Sequence, residues 1–167
     1  MSFRKTYTPS QALEKAKHFC GYQERSHAQV KEKLYSWGLR KPEVEEILSR
    51  LIEEDYLNEE RYATAFAGGK FRIKQWGKVK IAHALKQQQV STYNLQKAMR
   101  EVDLDAYRKT LEKLARKKWA SLGGKALTPI HRQFKTRAYL LQRGYEPALI
   151  QEILGRISAE TGGETGE

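Results

Sequence analysis

The side chains of this chain that could do chemistry are four histidines, one cysteine and a few paired carboxylates, and their spacing argues against each use. His18, His27, His83 and His131 are scattered, with no pair at the spacing of a helical metal site and no companion cysteines. They read as surface or interface histidines. Cys20 stands alone, so it closes no intramolecular disulfide and joins no thiolate cage, and it reads as a buried thiol in a reducing compartment. Gly68-Gly69 and Gly123-Gly124 have the look of phosphate loops, but neither follows a strand pattern or ends in Gly-Lys-Ser/Thr. Both are expected to be bends or flexible joints. Glu45/Glu46 and Glu53/Glu54 fall in an acidic helix as solvated side chains, and Asp103 and Asp105 have the form of helix caps. The reading is of a protein that is not an enzyme and holds no cofactor or metal.

What is left is charge. Residues 1–60 carry 10 Lys/Arg against 11 Asp/Glu, residues 61–145 carry 20 against 4, and residues 146–167 carry 1 against 5, so the middle supplies all of the net +11. A sustained field of one sign points to a long, negatively charged ligand, since a face kept only for solubility mixes signs. The candidate binding residues are Lys70, Arg72, Lys74, Lys78, Lys80 and Lys86 around Trp76, and Arg132, Lys135, Arg137 and Arg143 on a later helix. Lys113, Arg116, Lys117 and Lys118 lie between them, either as part of that surface or as a solvated helix face. Trp76, directly before Gly77, fits a stacking or docking side chain and equally a packing one. If phosphates are the ligand, log affinity should fall with log salt by about 0.9 per phosphate neutralised.

These residues must be positioned by helices. Thr8-Pro9-Ser10-Gln11 has the form of a capping box with proline at the first helical position, and Leu13, Ala16, Phe19 and Cys20 follow at helical spacing until a stop near Gly21. Ser26, with Gln29 three residues on, starts a second helix that ends at Gly38, and Pro42 opens a third bearing Val44, Ile47, Leu48 and Leu51. From the cap Asn58 the same pattern begins again with Tyr62, Phe66 and Phe71, a break at Gln75-Trp76-Gly77, then Ile81 and Leu85. Ser91 caps a further helix with Leu95, Ala98, Met99 and Val102. A third cycle runs through Tyr107, Leu111, Leu114 and Trp119, then Ala138, Leu140 and Leu141, then Leu149, Ile150, Ile153, Leu154 and Ile157.

The cycles superimpose without a gap over their second and third helices. Leu34, Leu85 and Leu140 align, as do Val44, Leu95 and Ile150, and Leu51, Val102 and Ile157. Register kept across two helices and the turn between them is the signature of a repeat. The predicted fold is therefore all-α, with three tandem three-helix repeats forming an elongated, curved molecule. Its expected divisions are a lead-in at 1–9, repeats at 10–57, 58–103 and 104–158, and a flexible tail at 159–167. The third repeat has a longer link between its first and second helices, from Trp119 to Thr128. Each unit of about 50 residues would be marginal alone, so neighbours should lean on each other. No apolar run approaches the roughly 20 residues of a membrane span, and Met1 to Tyr7 lacks a secretory segment. A cytoplasmic monomer that engages no membrane is expected.

From Leu13 to Ile157 the chain resembles the RecX family of regulators of the RecA recombinase. The resemblance is carried by SHAQVKEKLYSWGL and PEVEEILSRLIEEDYLNEERYA in the first unit, and by FKTRAYLLQRGYEPALIQEIL in the third. Its most specific part is RYATAFAGGKFRIKQWGKVKIAHALKQQQV in the second, with Arg72, Trp76-Gly77, Ile81, Leu85 and Val90. Gly68-Gly69 in a helix expected to be continuous, and Gln89 where the outer units have Gly38 and Gly144, depart from the pattern. The resemblance implies a non-enzymatic modulator lying along the groove of the RecA-DNA filament, touching more than one protomer and lowering ATPase and strand-exchange activity in DNA repair and the SOS response. It would face the filament with the candidate residues above. The competing expectation is a stand-alone DNA-binding protein gripping single- or double-stranded DNA through its basic face. A helical nuclease would need a carboxylate or histidine cluster inside the basic region.

Overall fold

The protein, seen in a computed structural model, is described over residues 6–124 and 126–163. Among these residues there are nine α-helices and no strand: α1 Pro9–Tyr22, α2 His27–Ser36, α3 Lys41–Glu53, α4 Glu59–Lys74, α5 Lys78–Gln87, α6 Thr92–Glu101, α7 Leu104–Ser121, α8 Pro129–Gln142 and α9 Pro147–Gly163. They fall into two compact units, Met1–Phe66 with Ala84–Ala98, and Ala67–His83 with Met99–Glu167.

In the first unit the helix starts are fixed by local chemistry. Gln11 N–H donates to Thr8 Oγ1 at 3.2 Å while Thr8 N–H donates to Gln11 Oε1 at 3.1 Å. Ser26 and Gln29 repeat the exchange at 3.0 Å each way. Each box satisfies two amides that a helix start otherwise leaves unpaired. The apolar faces of α1 to α3 then meet in one core, with Ala12 and Ala16, Val30 and Leu34, and Val44 and Leu51 sealed from water. A fully buried leucine such as Leu34 stabilises by about 1.5–3 kcal/mol relative to an exposed one. Buried Ser26 donates Oγ–H to Gln88 Oε1 at 2.8 Å. Arg61 ties Glu24 and Asp55 together, and Glu59 accepts from Ser91 N–H at 2.7 Å and Asn94 Nδ2 at 3.0 Å.

The second unit packs α7, α8 and α9 against one another. Tyr107, Leu111 and Ala115 of α7, Leu140 of α8 and Ile150 of α9 are fully buried. The Tyr107 ring meets both Phe71 and Tyr145 in tilted pairs, with ring centroids 5.7 Å and 5.2 Å apart.

The repeat is visible in its turns. After the second helix of each cycle, Leu39 N–H reaches Leu34 O (3.4 Å), Val90 N–H reaches Leu85 O (3.1 Å) and Tyr145 N–H reaches Leu140 O (3.2 Å). The residue before each donor is left-handed: Gly38 at φ 85°, Gln89 at φ 60° and Gly144 at φ 95°. These are glycine-type helix stops, one of them built with glutamine.

Some expectations are corrected. Gly68-Gly69 is no bend, because α4 runs unbroken through it; Gly124, at φ 76°, does turn the chain after α7. Residues 159–163 continue α9 instead of starting a tail, held by Trp119 Nε1–H to Thr161 Oγ1 at 3.2 Å and by Arg116 with Glu160 at 2.7 Å. The rest of that stretch, and residues 1–5 of the lead-in, lie outside the described residues. Tyr7, also in the lead-in, donates N–H to Trp37 O at 3.1 Å and meets the indole edge-on. Ala138 and Leu141, read as core positions, are exposed.

Candidate functional site

The basic residues of the middle region are organised by the break between α4 and α5. α4 ends because Gln75 adopts a left-handed φ of 56°, and Gln75 N–H and Trp76 N–H close back onto Phe71 O and Lys70 O at 3.0 and 3.2 Å. The chain then lies along the turn between α8 and α9. Gly77 N–H donates to Arg143 O at 2.8 Å, Val79 N–H to Gly144 O at 2.9 Å, and Tyr145 Oη–H to Gln75 O at 2.9 Å. Arg143 Nη2 donates to Lys74 O at 2.6 Å. Lys78 N–H donates to the Tyr107 hydroxyl at 2.9 Å, and that hydroxyl in turn donates to the Glu146 carboxylate.

Burial, reinforced by the bond to Glu146, pushes the Tyr107 phenol far above the ordinary 10, and burial pushes Tyr145 up to about 12. Both stay neutral donors throughout the physiological range.

On this scaffold Trp76 is half-buried, with Lys70 Nζ 4.9 Å and Lys80 Nζ 4.6 Å from the indole. Each such contact is worth about 0.5–1 kcal/mol at an exposed site. The consequence is positional: two ammonium groups are held at one aromatic ring. Arg72 and Lys74 are exposed nearby in sequence, and the Arg72 guanidinium folds back over Gly68, where a Cβ would lie 2.7 Å from Nη1. Lys78 is half-buried with Nζ 4.9 Å from the Tyr107 ring.

The later candidates divide in the same way. Lys135 and Arg137 are exposed on α8. Arg132 caps the end of α7, with Nε and Nη2 donating to Trp119 O at 3.0 and 2.8 Å and its guanidinium 4.2 Å from the Trp119 ring. Arg143, as above, is spent on a backbone carbonyl. Lys86 is exposed but belongs to the first unit, in Ala84–Ala98. No Asp or Glu occurs between Arg61 and Arg100, or between Lys113 and Tyr145.

Two features escaped the sequence reading. The Tyr107–Glu146 pair joins residues 39 apart and has no local signal. Ile130 and Phe134, exposed to 79% and 68%, form an apolar pair on α8 distinct from its buried Thr136 and Leu140. Their i, i+4 spacing was the signal, hidden by the second apolar stripe on the same helix. Among the described residues no three His, Cys, Asp or Glu side chains gather to hold a metal ion, and no helix is long and apolar enough to cross a membrane.

Comparison with known proteins gives three matches in series: residues 12–51 match the first three-helix domain of RecX, residues 58–99 the second and residues 105–154 the third. The chain is 28% identical over 146 residues to the regulatory protein RecX of Prosthecochloris aestuarii, covering 87% of this chain and 93% of that one. It is 27% identical over 147 residues to that of Thermotoga petrophila, covering 86% and 80%. The crystal structure of RecX from Lactobacillus salivarius superimposes with a TM-score of 0.81 at 20% identity, covering 90% of this chain and 97% of that one, a likeness of fold.

Proposed function

Because the chain belongs to the RecX family, we propose that it binds the RecA-DNA filament along its groove and lowers the filament's ATPase and strand-exchange activity, without catalysis of its own. The single observation that carries this reading is the Trp76 cluster, where Lys70 and Lys80 are fixed on one indole within a run free of carboxylates from Arg61 to Arg100. A field of one sign on rigid supports suits a polyanion better than a solubility face does. The remaining exposed candidates of the second unit, Arg72, Lys74, Lys135 and Arg137, extend the surface, while Lys78, Arg132 and Arg143 hold the scaffold that presents it; Lys86 is a separate candidate on the first unit.

The test reverses charge at Arg72, Lys74 and Lys135 together, three exposed side chains, and measures RecA ATPase on single-stranded DNA. Inhibition should be lost with the fold intact by circular dichroism; unchanged inhibition would remove these residues from the filament-facing surface. A gel shift with DNA alone and with DNA plus RecA accompanies it. Tight, sequence-selective binding to bare DNA would favour a stand-alone DNA-binding protein instead.

A further inference from the structure

The second unit also carries an apolar surface, which among the basic candidates only Arg137 borders. Between α8 and α9 lies a cleft of about 420 Å³, walled by exposed Ile130 and Phe134 with Arg137 beside them and floored by Leu154 and Gly155. Gln133 and Gln151 stand on its two sides. An exposed pair of large apolar side chains next to a cleft is the form of a protein-docking site, not of a solvated helix face.

Charge around the cleft says what kind of segment fits. α8 has no carboxylate at all. α9 has two, Glu152 and Glu160, and both are paired with α7: Glu152 with Arg108 at 3.2 Å and Glu160 with Arg116 at 2.7 Å. Among the described residues that line the cleft, Arg137 is the only charged one. A nucleic acid strand is the poorer occupant. One cation offers little to a phosphate chain, and Phe134 is a single ring between aliphatic Ile130 and Leu154, with no second aromatic among the described lining residues to continue a stack of bases. The amides fit a polypeptide better: Gln133 donates Nε2–H to Ser158 Oγ at 2.8 Å and keeps its carbonyl oxygen as an acceptor for a peptide N–H.

We infer that the α8–α9 cleft docks an acidic protein segment bearing one bulky apolar side chain, which inserts between Ile130 and Phe134 while its carboxylate meets Arg137. This rests on the filament reading above, under which the segment belongs to a subunit of the recombinase filament.

Two kinds of variant test it on the full chain with RecA filaments assembled on single-stranded DNA. Phe134→benzoylphenylalanine places a photoreactive group at the cleft, and irradiation of the bound complex should attach the chain to RecA protein. Gly155→Leu fills the cleft from its floor. A Cβ at Gly155 meets nothing within 4 Å, so the helix should tolerate the change, and co-sedimentation with filaments should weaken about tenfold, the loss of one anchoring contact. Ile130→Ser with Phe134→Ser should weaken it similarly, and none of these changes should alter binding to DNA alone. An adduct on the DNA strand, or no adduct from a chain that still co-sediments, would overturn the inference. So would undiminished binding by Gly155→Leu. If the unaltered chain fails to co-sediment at all, the filament reading falls and takes this one with it. Loss of binding in the Arg72, Lys74 and Lys135 reversal together with full binding by Gly155→Leu would leave the filament reading standing and sink only the cleft.

Discussion

Gly77 and Gly144 cross backbone to backbone. A Cβ on Gly77 would sit 2.2 Å from the carbonyl carbon and oxygen of Gly144, and a Cβ on Gly144 would sit 2.2 Å from Lys80 Cβ. Because the first obstacle is main chain, no side-chain rotation can relieve it. Gly77→Ala should therefore part the two segments, strain or break the bonds from Gly77 N–H to Arg143 O and from Val79 N–H to Gly144 O, and cost at least about 1–3 kcal/mol, the range of core overpacking. Gly144→Ala should cost more, since φ there is 95° and an L side chain adds strain of its own. Gly21, where a Cβ meets nothing within 4 Å, is the control. Urea unfolding followed by tryptophan fluorescence would measure all three, and equal midpoints for Gly77→Ala and Gly21→Ala would show that the crossing has room for a methyl group.

How much of this was legible depends on the range of the interactions. Helix starts at Thr8 and Ser26 could be read because both partners of each capping box lie within four residues. The repeat could be read because Leu34, Leu85 and Leu140 keep register through a turn whose geometry is the same each time. Gln89 shows the limit: its left-handed φ is imposed by the turn, which overrides the residue's own preference. In the candidate site, charge and sequence position identified the basic residues, but nothing local separated exposed Arg137 from Arg143, which is bound to Lys74 O 69 residues away. The continuation of α9 past residue 158 was hidden for the same reason, since Trp119 and Arg116 hold it from another helix.

Alkaline pH should unfold the second unit through its phenols. Tyr107 and Tyr145 have folded pKa values raised above the ordinary 10, the latter to about 12. The folded state therefore holds protons that the unfolded state releases, so their contribution is complete below pH 10 and is lost as pH rises from 10 towards 12 and beyond. Tyrosinate absorbance recorded with the unfolding midpoint should show late-ionising phenols that appear only as structure melts. Tyr107→Phe should reduce that alkaline slope. At neutral pH it should cost about 1–3 kcal/mol, because Lys78 N–H and the Glu146 carboxylate lose their shared partner. An unchanged slope in Tyr107→Phe would mean that this phenol does not link alkaline pH to unfolding.

Acid should act first on the other unit. Burial lowers the His27 pKa below its ordinary 6.5, with Lys31 adding to the effect and Glu59 opposing it. The fold thus favours the neutral ring, and that stability, present in full above about 6.5, is lost as pH falls through the lower folded value. Glu59 answers in a second, lower window. Burial raises its pKa, but the bonds from Ser91 and Asn94 outweigh this and bring it below 4.5, so its contribution is present above 4.5 and disappears in stronger acid. Unfolding midpoints measured from pH 7 to pH 3 should fall in two stages, on the order of these ordinary values. His27→Gln should erase the first stage and leave the second, and a single-stage curve unaltered by that change would refute the assignment.

Gly68 and Gly69 are adjacent in the unbroken α4, flanked by buried Ala67 and Phe71, yet they should respond differently to alanine. Glycine inside a helix costs about 0.5–1 kcal/mol relative to alanine, so Gly69→Ala, whose Cβ meets nothing within 4 Å, should gain that amount. Gly68→Ala brings its methyl group to 2.7 Å from Arg72 Nη1. That atom is the end of a flexible side chain, so the guanidinium swings away at little cost and most of the stability gain survives. What changes is where Arg72 points. If Arg72 is part of the filament-facing surface, Gly68→Ala should shift the concentration needed to inhibit RecA ATPase while Gly69→Ala leaves it unchanged, both variants melting above the unaltered chain. Identical inhibition by the two alanine variants would mean that the seat of Arg72 over Gly68 has no part in binding.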